Sequence, residues 1–210
     1  MRPMASKLVL DAAEASFFTD LQTILSRKRR FLPREVSRIC AADAAYRGDR
    51  VVAVASVFEG GRLTDTSYYA GTCSFPYIPG LFYLREGPFV VQAVRGLKSR
   101  PQLLCFDAHG AAHPRSAGLS TVCGMVIGIP SIGCAKSLLV GAVVPKKRGL
   151  DRIVHNGKMV GFVTRSNGAT RYWSPGYSVT INRLESLIDE CADVCLRAMA
   201  ESDRVARRQL

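Results

Sequence analysis

Two tight-turn sequences, Arg47-Gly48-Asp49 and Glu59-Gly60-Gly61, separate three runs rich in β-branched, aromatic and small residues, at 36–46, 51–58 and 63–70. Links this short join antiparallel neighbours, because a parallel crossover needs a dozen or more residues. The early part of the chain therefore predicts a three-stranded antiparallel meander.

Beyond residue 80 the pattern changes. A helix is predicted over 86–97, a strand over 102–107, a helix over 117–127 and a strand over 131–135. Alternation of this kind places parallel strands beside the meander. Asn156-Gly157, flanked by apolar residues within 152–165, predicts a two-residue hairpin. Phe17, Phe18, Leu21, Ile24 and Leu25 carry helical spacing, so an amphipathic helix is expected over about 8–25. A last helix is predicted over about 183–200, with Asn182 as its cap, Glu185 completing the box, and Leu184, Leu187, Ile188, Cys191, Val194 and Cys195 as its buried stripe. At 210 residues the chain fits one domain of α/β class, with a core of about 36–185. The uncharged stretch 116–135 is long enough to span a bilayer, but its glycines and Pro130 break it into a buried helix and a strand, so a soluble protein is expected.

A formal charge of +12 favours a polyanionic partner such as nucleic acid. The clusters Arg27-Lys28-Arg29-Arg30, Lys146-Lys147-Arg148 and Arg204 with Arg207-Arg208 strengthen that reading. The first run would also follow a helix C-terminus, where the dipole favours cations. Seven cysteines, odd in number and mostly in apolar context, read as buried free thiols of a reducing cytosol rather than a disulfide framework. Asp11 and Glu14 interrupt the only early apolar stretch, so no signal peptide is expected.

Asp43 and Asp107 each end an apolar run, Ile39-Cys40-Ala41-Ala42 and Leu103-Leu104-Cys105-Phe106. A buried unpaired carboxylate is costly, and paired ones repel unless a cation lies between them. If a central meander strand lies beside the first parallel strand, the two aspartates meet and suit Mg2+ or Mn2+. Either aspartate alone reads equally as a cap of the element that follows. Glu86, at the start of a predicted helix, is favoured by the dipole and could also serve such a site. Asp107 opens the polar segment Asp107-Ala108-His109-Gly110-Ala111-Ala112-His113, at a strand end where α/β sheets gather ligands. There His113 could move a proton or steady a water. A zinc site from His109, His113, Cys105 and Cys123 matches no common spacing. Lys136 ends the run Ile132-Gly133-Cys134-Ala135 and could neutralise charge on a phosphate, or simply reach solvent. Tyr77, between Pro76 and Pro79-Gly80, is an aromatic on a stiff backbone, fit either to wedge into a base stack or to fill a turn.

These residues together resemble the endonuclease V family, nucleases of deaminated bases with an RNase H-like fold. The resemblance is carried by Pro76-Tyr77-Ile78-Pro79-Gly80, Phe82-Tyr83-Leu84-Arg85-Glu86, Asp107-Ala108-His109-Gly110 with His113-Pro114-Arg115, Gly118-Leu119, Ile132-Gly133-Cys134-Ala135-Lys136-Ser137, and Asp43 with Tyr46. It implies an RNase H-like mixed sheet, the antiparallel meander extended by parallel strands, with helices on both faces. It also implies Asp43, Asp107 and Glu86 around Mg2+ (Mn2+ substituting), His113 and Lys136 at water and phosphate, Tyr77 as a wedge, and Gly80, Ala108 and Gly118 near the pocket of an extruded base. The implied reaction cuts the second phosphodiester 3′ to deoxyinosine. The family usually has glycine at Ala108 and histidine at Tyr177, and the chain beyond about residue 195 matches poorly. Damaged DNA is the expected partner of a cytoplasmic monomer, with no membrane involved. A ribonuclease acting on inosine-containing RNA, or a protein that binds lesions without cutting, are the competing readings.

Overall fold

The computed structural model describes residues 22–23, 35–166 and 168–210. The predicted opening helix and the basic run 27–30 lie outside the described residues, apart from Gln22 and Thr23, which are helical. Among the described residues the strands are β1 (Arg38–Arg47), β2 (Arg50–Glu59), β3 (Arg62–Thr72), β4 (Leu103–Phe106), β5 (Ser131–Ala135), β6 (Ala142–Val144), β7 (Asp151–His155), β8 (Lys158–Ser166) and β9 (Ala169–Pro175). The helices are α1 (Phe82–Arg95), α2 (Leu119–Ile127) and α3 (Ile181–Gln209). One nine-stranded sheet runs β3-β2-β1-β4-β5-β9-β8-β7-β6. The meander is antiparallel, β1–β4 and β4–β5 are parallel, and the remaining ladders are antiparallel.

Alternation along the strands assigns each residue a face. Cys40 and Ala42 of β1 pack with Leu104 and Phe106 of β4 under α1 and α2. Ile39, Ala41, Leu103 and Cys105 point the other way, into the stripe Leu184, Leu187, Ile188, Cys191 and Cys195 of α3. Strand β2, covered on both sides, is buried from Val51 to Phe58. The sheet is therefore sandwiched between helices, as the alternating pattern implies.

Several boundaries differ from the expectations. The outer strand of the meander, β1, lies beside β4, rather than the central one. It also continues past Asp43, because residues 44–47 keep their ladder with β2 down to Arg47↔Arg50. The β1–β4 ladder stops at Ala42↔Phe106. Helix α1 starts at Phe82, so Glu86 is in its second turn and not at its mouth. Thr180, not Asn182, caps α3, its hydroxyl accepting from the Arg183 N–H at 3.2 Å. That helix runs nine residues beyond position 200, since Ser202 and Ala206 extend its buried side. Strands β6 and β9 have no counterpart in the sequence expectations.

The uncharged stretch divides at Gly128, a left-handed cap to α2, and no helix among the described residues is long and apolar enough to cross a membrane. All seven cysteines are buried and free. Cys105 belongs to the α3-side core and Cys123 to the α1-side core, so the sheet separates them and no zinc site joins them.

Candidate active site

The register that builds the sheet also builds the site. Asp43 shares the face of Ile39 and Ala41, toward α3, at the point where the β1–β4 ladder ends. Asp107 and Lys136 are the first residues after β4 and β5 and fall on the same face as Cys105 and Cys134. All three line a cleft of about 280 Å³ closed on its far side by α3. The Lys136 ammonium forms an ion pair with Asp107 while most of its side chain remains in solvent. Asp43 Oδ1 accepts the Ala44 N–H at 2.9 Å.

Electrostatics ties the carboxylates together. Burial, and then the charge of Asp107, push Asp43 up to about 6, against the pull of Lys136 and the Ala44 N–H. Glu86, on α1 and only 6% exposed, lies well above the usual carboxylate range, first through burial and then through Asp43 and Asp107. Beside it the Arg85 guanidinium covers the Tyr46 ring at 4.7 Å. Asp43 and Glu86 thus resist ionisation in the field of neighbouring acids, with Lys136 pulling against this at both and Arg85 at Glu86. Among the described residues no group of three or more His, Cys, Asp or Glu side chains is arranged closely enough to hold a metal ion as it stands. The donor set is nevertheless all oxygen, with Asp43 and Asp107 half-buried in the cleft and Glu86 buried behind it, and oxygen donors of this kind fit a hard divalent ion.

A fourth acid was missed by the sequence reasoning. Asp203 of α3 lines the same cleft and raises Asp43 further, while ion-paired with Arg207. Its signal lay in the helical stripe, which continues through Met199 and Ser202 to Asp203 and places a charge on an otherwise buried side.

His113 stands apart from this acid cluster. Its Nε2–H donates to the Gly80 carbonyl at 3.1 Å, and its Nδ1 accepts the Arg115 N–H at 3.3 Å. Burial, then the Arg115 guanidinium, lower it to about 4, so the ring is neutral near pH 7. Arg115 Nη2 donates to the same Gly80 oxygen at 2.7 Å, and Arg115 Nε donates to Gln22 Oε1 at 2.8 Å. Gln22 in turn donates to Ala117 O at 2.8 Å. These bonds fix the wall of a second cleft, of about 320 Å³, where Gly80, Ala108, Gly118 and His113 meet Asp107 and Lys136. The three predicted pocket residues are therefore neighbours, although residues 80 and 118 come from different loops. Gly118 has a packing reason of its own, since a Cβ there would lie 2.2 Å from His109 O.

Tyr77 is 64% exposed, its ring edge-on to Phe82 at 5.9 Å, and Phe82 lines the second cleft. Tyr177 lies against Gly124 of α2 and lines neither cleft. Of the basic clusters, Lys146-Lys147-Arg148 is exposed, whereas Arg204 and Arg207 pair with Glu201 and Asp203 on their own helix.

The Endonuclease V family model matches residues 19–200, which is most of the chain. The chain belongs to the endonuclease V family. It is therefore a nuclease, and its sheet is the RNase H-like one that the motifs imply. Endonuclease V of Geotalea uraniireducens is 41% identical over 157 residues, 71% of this chain and 67% of that protein. The crystal structure of endonuclease V from Streptomyces avermitilis is 26% identical, with a TM-score of 0.82 over 98% of this chain and 95% of that one. The fold is also that of Ciona intestinalis endonuclease V, 16% identical with a TM-score of 0.79 over 94% and 98% of the two chains. That protein was crystallised with a 24mer DNA containing an inosine followed by a ribo-adenosine. The endonuclease V match reaches into α3, past the point where the motifs fade.

Proposed function

We propose that this nuclease is a divalent-metal-dependent endonuclease of deaminated bases, with deoxyinosine in DNA as its substrate and the second phosphodiester 3′ to the lesion as its target. The observation that carries the reading is the pair of adjoining clefts that share Asp107 and Lys136, one acidic and one walled by Gly80, Ala108 and Gly118. A base extruded into the second cleft leaves its strand running over the first, so the bond cut is displaced from the lesion. The Ciona protein's inosine-containing DNA supports the choice of base.

In this reading Asp43, Asp107 and Glu86 hold Mg2+, or Mn2+ in its place. When bound, the ion supplies positive charge against the phosphate oxygens and acidifies water. Lys136, its ammonium at Asp107, meets the charge that grows on the phosphate. His113, with both ring nitrogens engaged, holds the Gly80 turn rather than carrying a proton. Tyr77 enters the stack vacated by the base; flipping costs a few kcal/mol, least at a mispaired site, which adds selectivity. Ala108 adds a methyl beside the base, so base preference is set partly there.

Nicking of matched inosine-containing DNA and RNA, with Mg2+ or with EDTA, tests this directly. Cleavage of the DNA in Mg2+ alone is expected. Preference for RNA would establish a ribonuclease, and binding without cutting would establish a lesion-binding protein. Tyr77→Ala should leave the melting temperature unchanged, because the ring is mostly in solvent, while weakening inosine-duplex affinity about tenfold, or about 1.4 kcal/mol, toward the lower end of what one base–aromatic stack contributes. Equal losses on ordinary duplex would reject the wedge.

A further inference from the structure

Strand β9 carries an arginine on its inward face. Arg171 is two residues from Trp173, which is fully buried in the α3-side core, so both side chains are on that face. It lines the cleft of Asp43, Asp107 and Lys136. Tyr172 pairs with Ala135, so one step along the antiparallel ladder Arg171 comes beside Lys136. On its other side Arg171 pairs with Thr164 of β8, which also lines the cleft and whose hydroxyl accepts the Trp173 indole N–H at 2.9 Å.

On the face toward the cleft, β1 and β4 therefore present Asp43 beside Asp107, and two residues further along, β5 and β9 present Lys136 beside Arg171. The charge changes sign halfway. Arg171 Nη1 donates to the adjacent Thr170 carbonyl at 3.1 Å, while its Nε is buried with no hydrogen-bond partner. It forms no ion pair among the described residues. A guanidinium with a desolvated, unmatched donor beside an ammonium suits a phosphate better than a structural role.

We propose that Arg171 binds a backbone phosphate of the nucleic acid, next to the phosphate lying over Asp43 and Asp107, and so fixes the path of the cut strand toward β8. This assignment rests on the nucleic-acid reading above. Arg171 is a binding residue in it, and the strand enters or leaves the cleft over β9.

The test uses full-length protein carrying Asp43→Asn, so that substrate is bound without being cut, and measures affinity for a single-inosine DNA duplex over a salt series. Arg171→Met keeps the apolar stem and removes the charge; Arg171→Lys keeps the charge without the planar fork. Arg171→Met should weaken binding about five- to tenfold near physiological salt and reduce the log K against log salt slope by about 0.9, one phosphate contact. Arg171→Lys should keep the slope and recover part of the affinity. A parent that binds while Arg171→Met matches it in affinity and slope would overturn the assignment alone. Failure of the parent to bind would overturn the nucleic-acid reading and this assignment with it.

Discussion

Asp43→Asn should lose nicking activity by a factor on the order of 10²–10³ or more, and in EDTA at pH 7 it should be more stable than the parent. The two effects share one cause. In the metal-free protein Asp43 is half-buried beside Asp107, and its folded value is raised to about 6. Between the ordinary value near 4 and that raised one, the folded state binds more protons than the unfolded chain. Its contribution to stability is therefore full in acid and is lost as pH rises through about 6. Asparagine keeps an oxygen for the Ala44 N–H and carries no charge at any pH. The variant should gain on the order of 1–3 kcal/mol at pH 7 and nothing below pH 4, read from denaturant melts at the two pH values. His113 acts in the opposite sense: its folded value is lowered to about 4, so it costs stability as pH falls from about 6.5 toward 4. With Asp43 gone, acidification over that interval should destabilise the variant more steeply than the parent. A variant no more stable at pH 7 than the parent would remove the electrostatic strain from the account.

Gly133→Ala should destabilise the fold by about 3 kcal/mol, lowering the melting temperature by roughly 6–12 °C for a chain of this size. Gly133 is in the centre of β5, and the loop after Asp107 crosses directly over it. A Cβ there would meet Ala108 O at 2.3 Å and Gly110 N at 2.8 Å, both backbone atoms with no rotamer to escape into. Relief requires the loop to lift, which displaces Asp107 and the wall formed by Ala108. Activity should therefore fall further than the loss of folded protein explains, as measured at a temperature where the variant remains folded. An unchanged melting temperature would mean that the loop yields freely and does not position the site.

Much of this architecture was legible before any coordinates. Short glycine turns dictated the meander, and apolar runs ending in aspartate pointed to Asp43 and Asp107 lying near each other, although it is the outer strand β1 and not the central one that lies beside β4. Glu86 was legible only through its motif, because its helix starts at Phe82 and the dipole argument for it fails. Asp203 was legible only by following the α3 stripe past residue 200, and Arg171 was not legible. Each is a charged, half-buried residue at the margin of its element's buried side, and such a residue reads as the end of an element. Periodicity therefore stops α3 near residue 200 and passes over β9. Both charges are tolerated where they stand because the cleft over β1, β4 and β5 keeps them at its edge rather than in the core. The functional residues thus lie where the periodic signal breaks, as expected when local rules yield to a site.

The central claim is that Asp43, Glu86 and Asp107 share one divalent cation where the β1–β4 ladder ends. Anomalous diffraction from crystals soaked in Mn2+ measures this most directly. A single strong peak within bonding distance of the Asp43 and Asp107 carboxylates, absent from Asp43→Asn crystals, is the predicted result. A difference map with no peak there, or with manganese bound elsewhere while the enzyme still cuts, would contradict it.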